Sequence, residues 1–308
     1  MQLPFHLNHA IEQETLSINP ELLSKAVAEL SERYRGQGVS GPKISGPPFI
    51  SNAAHRLAYL TTRMPATYSA IRAALAEVRA RLPEFNPRSM LDVGAGPGTA
   101  MWAAADVFEE LERVTLVERD INLIEIGKRL AANAEHPAIK SAAWLKQDLQ
   151  ERVNLESHDL VVISYALGEL SEATAQAVLG AAWSAAGEAL AIIEPGTPRG
   201  FSHVLSARDE LIKMGAHIVA PCPHAARCPM ANGDWCHFSQ RVERSRHHRL
   251  AKSGTMPYED EKYSYLAVAK SPVEVKGARV VRHPLKREGH IHLDVCEPGG
   301  LLERVTVT

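Results

Sequence analysis

The chain has 308 residues, 45% of them hydrophobic, and its 34 Lys and Arg nearly balance 36 Asp and Glu for a formal net charge of −2. That is enough apolar material for a sizeable core, and any nucleic-acid affinity must come from local patches rather than from the charge of the whole molecule. No apolar run approaches the length of about eighteen residues needed to span a membrane, and the opening Met-Gln-Leu-Pro-Phe-His has neither the basic n-region nor the apolar h-region of a secretory signal.

Residues 1–85 read as an N-terminal helical region. Segments 11–35 and 53–82 look helical, separated by the Gly/Pro/Ser-rich stretch 36–48, an expected loop. Between 59 and 68, Tyr59, Arg63 and Tyr68 suit an RNA contact, but scattered aromatics more often pack cores, here a helical cap laid on a sheet.

The core domain is expected over 86–270. It begins with Met90-Leu91-Asp92-Val93-Gly94-Ala95-Gly96-Pro97-Gly98-Thr99, an apolar run ending in a glycine-rich turn that leads into the helix-compatible segment 98–111. Glycines let a backbone approach a ligand closely, and a helix N-terminus favours a negative group. A dinucleotide fingerprint would need glycine where Thr99 stands. The pattern instead resembles motif I of class I S-adenosylmethionine-dependent methyltransferases, although a purely structural glycine turn would look the same in isolation.

The following residues extend that reading. A β-branched strand at 114–117 ends in Glu118, whose two oxygens match a vicinal ribose diol, and Asp148 follows an expected third strand, where the family's acid contacts the adenine amine. Continuous apolar runs at 159–164 and 189–194 suit strands buried on both faces. With helical spacing over 120–134 and 171–186, strand and helix alternate, which predicts a parallel doubly wound α/β sheet with ligand at the carboxyl ends of its strands. Asp92, Gly94, Gly96, Gly98, Glu118 and Asp148 form the expected cofactor set.

The four cysteines of the chain are Cys222, Cys228, Cys236 and Cys296, three of them within the segment 221–238. In a reducing compartment such a cluster points to metal or redox chemistry rather than to disulfides. Zinc knuckles usually space their cysteines by two to four residues, whereas the gaps here are five, seven and fifty-nine. Cys222 and Cys228 each precede proline, as in some iron–sulfur runs, and proline keeps a loop irregular enough to wrap a bulky cluster. A four-cysteine [4Fe–4S] cluster is the leading expectation, with zinc (His224 or His237 as substitute ligands) and free thiols as alternatives.

A basic run follows: Arg241, Arg244, Arg246, Arg249 and Lys252, with His247 and His248 among them and the aromatics Tyr258, Tyr263 and Tyr265 beyond. Basic side chains bind phosphates without reading sequence, and aromatics stack on unpaired bases, so these residues are candidate RNA ligands. An exposed, solvated strand is the plainer alternative. The tail, 271–308, reads as short strands over 273–282, 291–295 and 301–307, and it supplies Cys296.

The glycine loop, together with Ser164-Tyr165-Ala166-Leu167-Gly168-Glu169-Leu170, Ile193-Glu194-Pro195-Gly196-Thr197-Pro198-Arg199-Gly200, Pro221-Cys222-Pro223-His224 and Asp234-Trp235-Cys236-His237-Phe238, resembles the methyltransferase-like family of small-ribosomal-subunit assembly proteins over roughly residues 50–300. The resemblance implies S-adenosylmethionine binding, a four-cysteine iron–sulfur cluster and association with the small ribosomal subunit or its RNA. The family's better-known members are mitochondrial; this chain looks like a bacterial homologue, for which a cytoplasmic location is expected.

The chemistry is less defined. Many amino-methylating enzymes end their fourth strand in Asp/Asn-Pro-Pro-Tyr/Phe, which holds the exocyclic amine; here Ser164-Tyr165-Ala166-Leu167 lacks the acid or amide and both prolines. Ser164 and Tyr165 are the catalytic candidates, with Glu169 or Glu194 as a distant base, although lining the pocket is the more usual role for such residues. Three functions compete: an rRNA methyltransferase with weak turnover on free RNA, a non-catalytic RNA-binding assembly factor, and a small-molecule or protein methyltransferase with a structural metal.

Overall fold

The segments richest in Val, Ile and Leu become the innermost strands, because a strand covered on both faces has no polar side to present. The computed structural model describes residues 1–36, 50–151, 154–231, 233–252, 255–274 and 276–308. The N-terminal part is helical: α1 (Phe5–Thr15), α2 (Pro20–Gly36), α3 (Ala53–Ala58), a π-helical turn (Tyr59–Arg63) and α4 (Met64–Arg81). The sheet-forming part runs β1 (Ser89–Val93), α5 (Thr99–Ala105), β2 (Arg113–Glu118), α6 (Ile121–Ala132), α7 (Pro137–Lys140), β3 (Ala143–Lys146), β4 (His158–Ser164), α8 (Glu172–Ala185), β5 (Ala186–Pro195), α9 (Pro198–Lys213) and β6 (His217–Ala220). It continues with β7 (Phe238–Glu243), α10 (Arg246–Ala251) and β8 (Tyr258–Ala269), and ends in β9 (Arg279–Val280), β10 (Leu285–Arg287), β11 (His290–Cys296) and β12 (Leu302–Val307).

The main sheet has the order β3-β2-β1-β4-β5-β8-β6, with β7 paired to β8. Its centre is parallel: Val93 of β1 stands opposite Val117 of β2 and Ile163 of β4. β8 runs antiparallel to both β5 and β6. The expected all-parallel sheet is therefore mixed, the arrangement of a class I methyltransferase fold. One face is covered by α1, the π turn and α4 through Leu7, Leu60, Met64 and Tyr68. The other is covered by α8 and α9 through Val178, Ala182, Val204 and Leu211.

Side-chain caps set where these helices start. Asp120 accepts from the Asn122 amide, Ser171 from Thr174 and Thr197 from Gly200, each just past the carboxyl end of a strand. The helix expected over 11–35 divides at 16–19: the Thr15 hydroxyl turns back onto the Ile11 carbonyl (2.9 Å), and Asn19 Oδ1 accepts from the Glu21 amide (2.8 Å) to start α2. The loop expected over 36–48 lies, beyond Gly36, outside the described residues. Among the described residues of the expected 273–282 strand, Arg279–Val280 forms a strand, and β9, β10 and β12 gather around β11 in a separate small sheet.

Candidate functional site

The crevice at the carboxyl ends of β1, β2 and β4 is built by the glycine loop. Gly94, Gly96 and Gly98 take φ values of 75°, 55° and 84°, a region that side chains rarely enter. A Cβ on Gly94 would stand 2.8 Å from that of Ala166, so the loop lies against the segment after β4 with no room for a methyl group. Asp92 beneath the loop is fully buried and, among the described residues, neither carboxylate oxygen meets hydrogen-bond geometry, although the Met101 backbone favours its charged form. Burial, with the Glu118 charge nearby, pushes Asp92 up to about 8.

Glu118, at the end of β2, accepts from the Gly96 amide (2.8 Å) on one oxygen and from the Arg119 and Asp120 amides (2.9 and 2.8 Å) on the other. It thereby ties the second strand to the glycine loop. Asp148 follows β3, and its Oδ1 accepts from the Gln150 amide (3.0 Å). Arg119 spans the crevice mouth, 3.9 Å from both Asp148 Oδ2 and Glu169 Oε2. Glu169 is pushed up to about 7 by burial, against the pull of Arg119 and with help from Glu118 and Glu194, although its side chain is still 39% accessible. The cofactor residues expected from sequence thus converge; Arg119 was not foreseen.

On the acceptor side, Ser164 ends β4 and Tyr165 follows it at φ 55°, a strained conformation for a bulky residue. The Tyr165 amide donates to the Ile193 carbonyl (2.7 Å) and its hydroxyl to Glu261 Oε1 (3.2 Å). Glu261 in turn receives both guanidinium ends of Arg63, at 3.2 and 3.0 Å. Burial raises the Tyr165 hydroxyl well above its ordinary value, so it serves as a donor and not as a base. Glu194 is buried and accepts from the Leu167 amide (3.0 Å), with His203 Nδ1 3.7 Å away; its part is to hold the 165–169 turn. The carboxylate beside Tyr165, that of Glu261, is already engaged by Arg63. Arg63 and Glu261 lie 198 residues apart and neither was assigned to this site from sequence; Arg63 is half-buried and engaged in this pair rather than offered to RNA.

All four cysteines line a single pocket, about 550 Å³ counting its open mouth. Cys228 and Cys296 are buried and pack with Phe201, Met230 and Val281. Backbone ties hold the irregular segment: Arg208 Nη2 donates to the carbonyls of His224 (2.9 Å) and Ala226 (2.7 Å), and Ser264 Oγ to that of Cys236 (2.8 Å). Burial raises Cys222, pushes Cys236 up to about 12 and Cys296 to about 11, and the other cysteines add to each rise. Cys222 and Cys296, 74 residues apart in sequence, thus face the same pocket. His224 Nε2 lies 3.2 Å from Cys296 Sγ, while His237 turns to the Trp235 carbonyl (3.3 Å). Among the described residues, no group of three or more His, Cys, Asp or Glu is gathered as a single metal ion would need.

The basic run divides. Arg241 pairs with Asp260 (3.0 Å) and lies over the Tyr258 ring (4.0 Å); Arg244 (2.9 Å) and Lys252 (2.7 Å) both pair with Glu259. Burial works against the Glu259 carboxylate, but the His248 hydrogen bond and the Lys252 charge hold it well below the usual range. Arg246 and Arg249, on α10, are exposed, and no ion pair to either is found among the described residues.

Mixed sheet, glycine loop and acids at successive strand ends define a protein of the class I methyltransferase fold. Residues 53–308 match the family model described as mitochondrial small ribosomal subunit Rsm22, and the chain belongs to that family. It is 29% identical over 268 residues to the human protein named ribosome assembly protein METTL17, mitochondrial, covering 82% of this chain and 57% of that one. It is 30% identical to the Rsm22-cox11 tandem protein 2, mitochondrial, of Schizosaccharomyces pombe (80% and 39% covered). Identity to the Saccharomyces cerevisiae ribosome assembly protein RSM22, mitochondrial, is 20% (78% and 62% covered). The chain thus spans less than two thirds of these relatives' lengths. A solved magnesium protoporphyrin IX methyltransferase from Synechocystis superposes with a TM-score of 0.43 at 12% identity over 79% of this chain and 97% of that one, too slight a likeness to carry any argument about chemistry. The relatives correct the cytoplasmic expectation: they are mitochondrial proteins. Lack of a secretory signal was a poor guide, because a mitochondrial address has a different, amphipathic and Arg-rich composition.

Proposed function

We propose that this chain is a ribosome assembly protein of the mitochondrial type, binding S-adenosylmethionine and a four-cysteine [4Fe–4S] cluster while it contacts small-subunit rRNA. The observation that carries the proposal is the meeting of Cys222, Cys228, Cys236 and Cys296 at one pocket. Burial favours the protonated thiols of Cys222, Cys236 and Cys296, so a metal centre must supply the positive charge that removes those protons. The five-, seven- and fifty-nine-residue gaps between the cysteines and the prolines after Cys222 and Cys228 suit a cluster better than a zinc knuckle. For S-adenosylmethionine, the crowded glycine loop and the two unpartnered oxygens of Asp92 fit a ligand that brings its own N–H groups and positive charge. Glu118 would hold the ribose and Asp148 the adenine, and the bound sulfonium would supply an activated methyl group.

Methyl transfer itself is weak in this reading. Tyr165 and Glu261 are spent on each other and on Arg63, and no acceptor-holding motif follows β4. RNA contact falls to the exposed Arg246 and Arg249, with their paired neighbours shaping the surface. Protein purified without oxygen should be brown and contain iron and acid-labile sulfide in near-equal amounts, and each Cys→Ser change should lower both. Stoichiometric zinc without sulfide would refute the cluster.

A further inference from the structure

Arginines are almost never fully buried unless their charge is answered, and Arg208 of α9 is answered only in part. Its side chain is 3% accessible, and the carboxylate paired with it, Asp209 at 3.2 Å, is 55% accessible and therefore well hydrated. Nη2 serves the His224 and Ala226 carbonyls. Nε is buried with no partner, and the residue lines the pocket shared by the four cysteines. Cys222 lines the same pocket, two residues before the His224 carbonyl that Arg208 holds. Arg279 lines the same pocket, but its guanidinium is already engaged by Glu77 (2.8 Å), by the Tyr265 hydroxyl (3.4 Å) and by the face of Phe238 (4.7 Å).

We propose that Arg208 is the positioning residue of the cysteine centre, curving the 222–228 loop through two carbonyls and offering its unpartnered Nε–H to the sulfur at Cys222. The proposal rests on the iron–sulfur reading above. Four thiolates around a [4Fe–4S] core leave the centre with net negative charge in a pocket whose other lining is largely apolar. A buried cation with a spare donor stabilises that charge, and it raises the reduction potential, since net charge and hydrogen bonds to sulfur are among the factors that set it. A lysine keeps the charge but not the planar fork that reaches two carbonyls and the sulfur together.

The test uses the full chain, purified without oxygen, with R208M and R208K. Iron and sulfide content, the rate of cluster loss to a chelator and the reduction potential are measured, and S-adenosylmethionine affinity reports on the fold. We expect R208M to lose its cluster about tenfold faster or more, the usual scale for outer-shell partners, and to have a lower potential. R208K should lose it at an intermediate rate, again at a lowered potential. Variants that match the wild type in both rate and potential overturn the assignment of Arg208 and leave the cluster standing. If R208M fails to fold, an unshifted potential in R208K is enough to overturn it. Wild-type protein that contains neither iron nor sulfide overturns the cluster reading and this assignment with it.

Discussion

Replacing Glu118 tests how the crevice is built, because its carboxylate already accepts three backbone amides before any ligand arrives. A carboxylate offers about four lone-pair sites, so two ribose hydroxyls can be accommodated only if one backbone bond is shared or released. Alanine removes the acceptor altogether. Losing hydrogen bonds to a charged group costs about 1.5–3 kcal/mol, which is about 10- to 150-fold in S-adenosylmethionine affinity. Glutamine is the sharper probe. Its amide nitrogen must face either the Gly96 N–H or the pair from Arg119 and Asp120, donor against donor, so E118Q should lose nearly as much as E118A. Titration calorimetry reads both variants directly. Wild-type affinity in E118Q would refute the reasoning, since neither the charge nor the three amide bonds would then matter.

Two further outcomes follow from the same geometry. Burial raises Asp92 to about 8 from its ordinary 3.8, so the fold keeps a proton there that the unfolded chain releases near pH 4; this contribution to stability is full at low pH and is lost as pH rises through the folded value. A cationic ligand favours the ionised form, so S-adenosylmethionine affinity should climb between pH 6 and about 8, by at most about tenfold per unit for a single group, and then level; flat affinity, followed by calorimetry across that range, would remove Asp92 from the cofactor's surroundings. RNA binding should weaken with salt, and the double variant R246A/R249A should reduce the slope by about 1.4, the value for two contacts to a single strand, whereas R241A, whose guanidinium is held by Asp260 and Tyr258, should change it little; equal slopes in filter binding for wild type and the double variant would show α10 to be solvated surface.

What the sequence made legible was local. The glycine loop and the acids at 118 and 148 are spaced by one strand and one helix, so reading along the chain finds them. β8 was not legible as a sheet strand, because its first residues, Tyr258 to Lys262, are mostly charged and continue the basic run, and burial begins only at Tyr263. Missing β8 hid the acids that neutralise three of the five basic candidates, Glu259 and Asp260, and the Glu261 that engages Tyr165 and Arg63. The motif that ends at Gly200 covers only the first turn of α9 and stops short of Arg208; the close fit of that turn follows from Gly200, where a Cβ would stand 2.0 Å from the Pro195 carbonyl oxygen. Long-range pairings of this kind are set by the three-dimensional fold, which no periodicity records.

The measurement closest to the central claim is capture of RNA crosslinked to the protein in its own cells, with methylation of that RNA compared in the presence and absence of the protein. Small-subunit rRNA should be enriched over large-subunit rRNA, with little or no methylation that depends on this chain. No enrichment of small-subunit rRNA would contradict it.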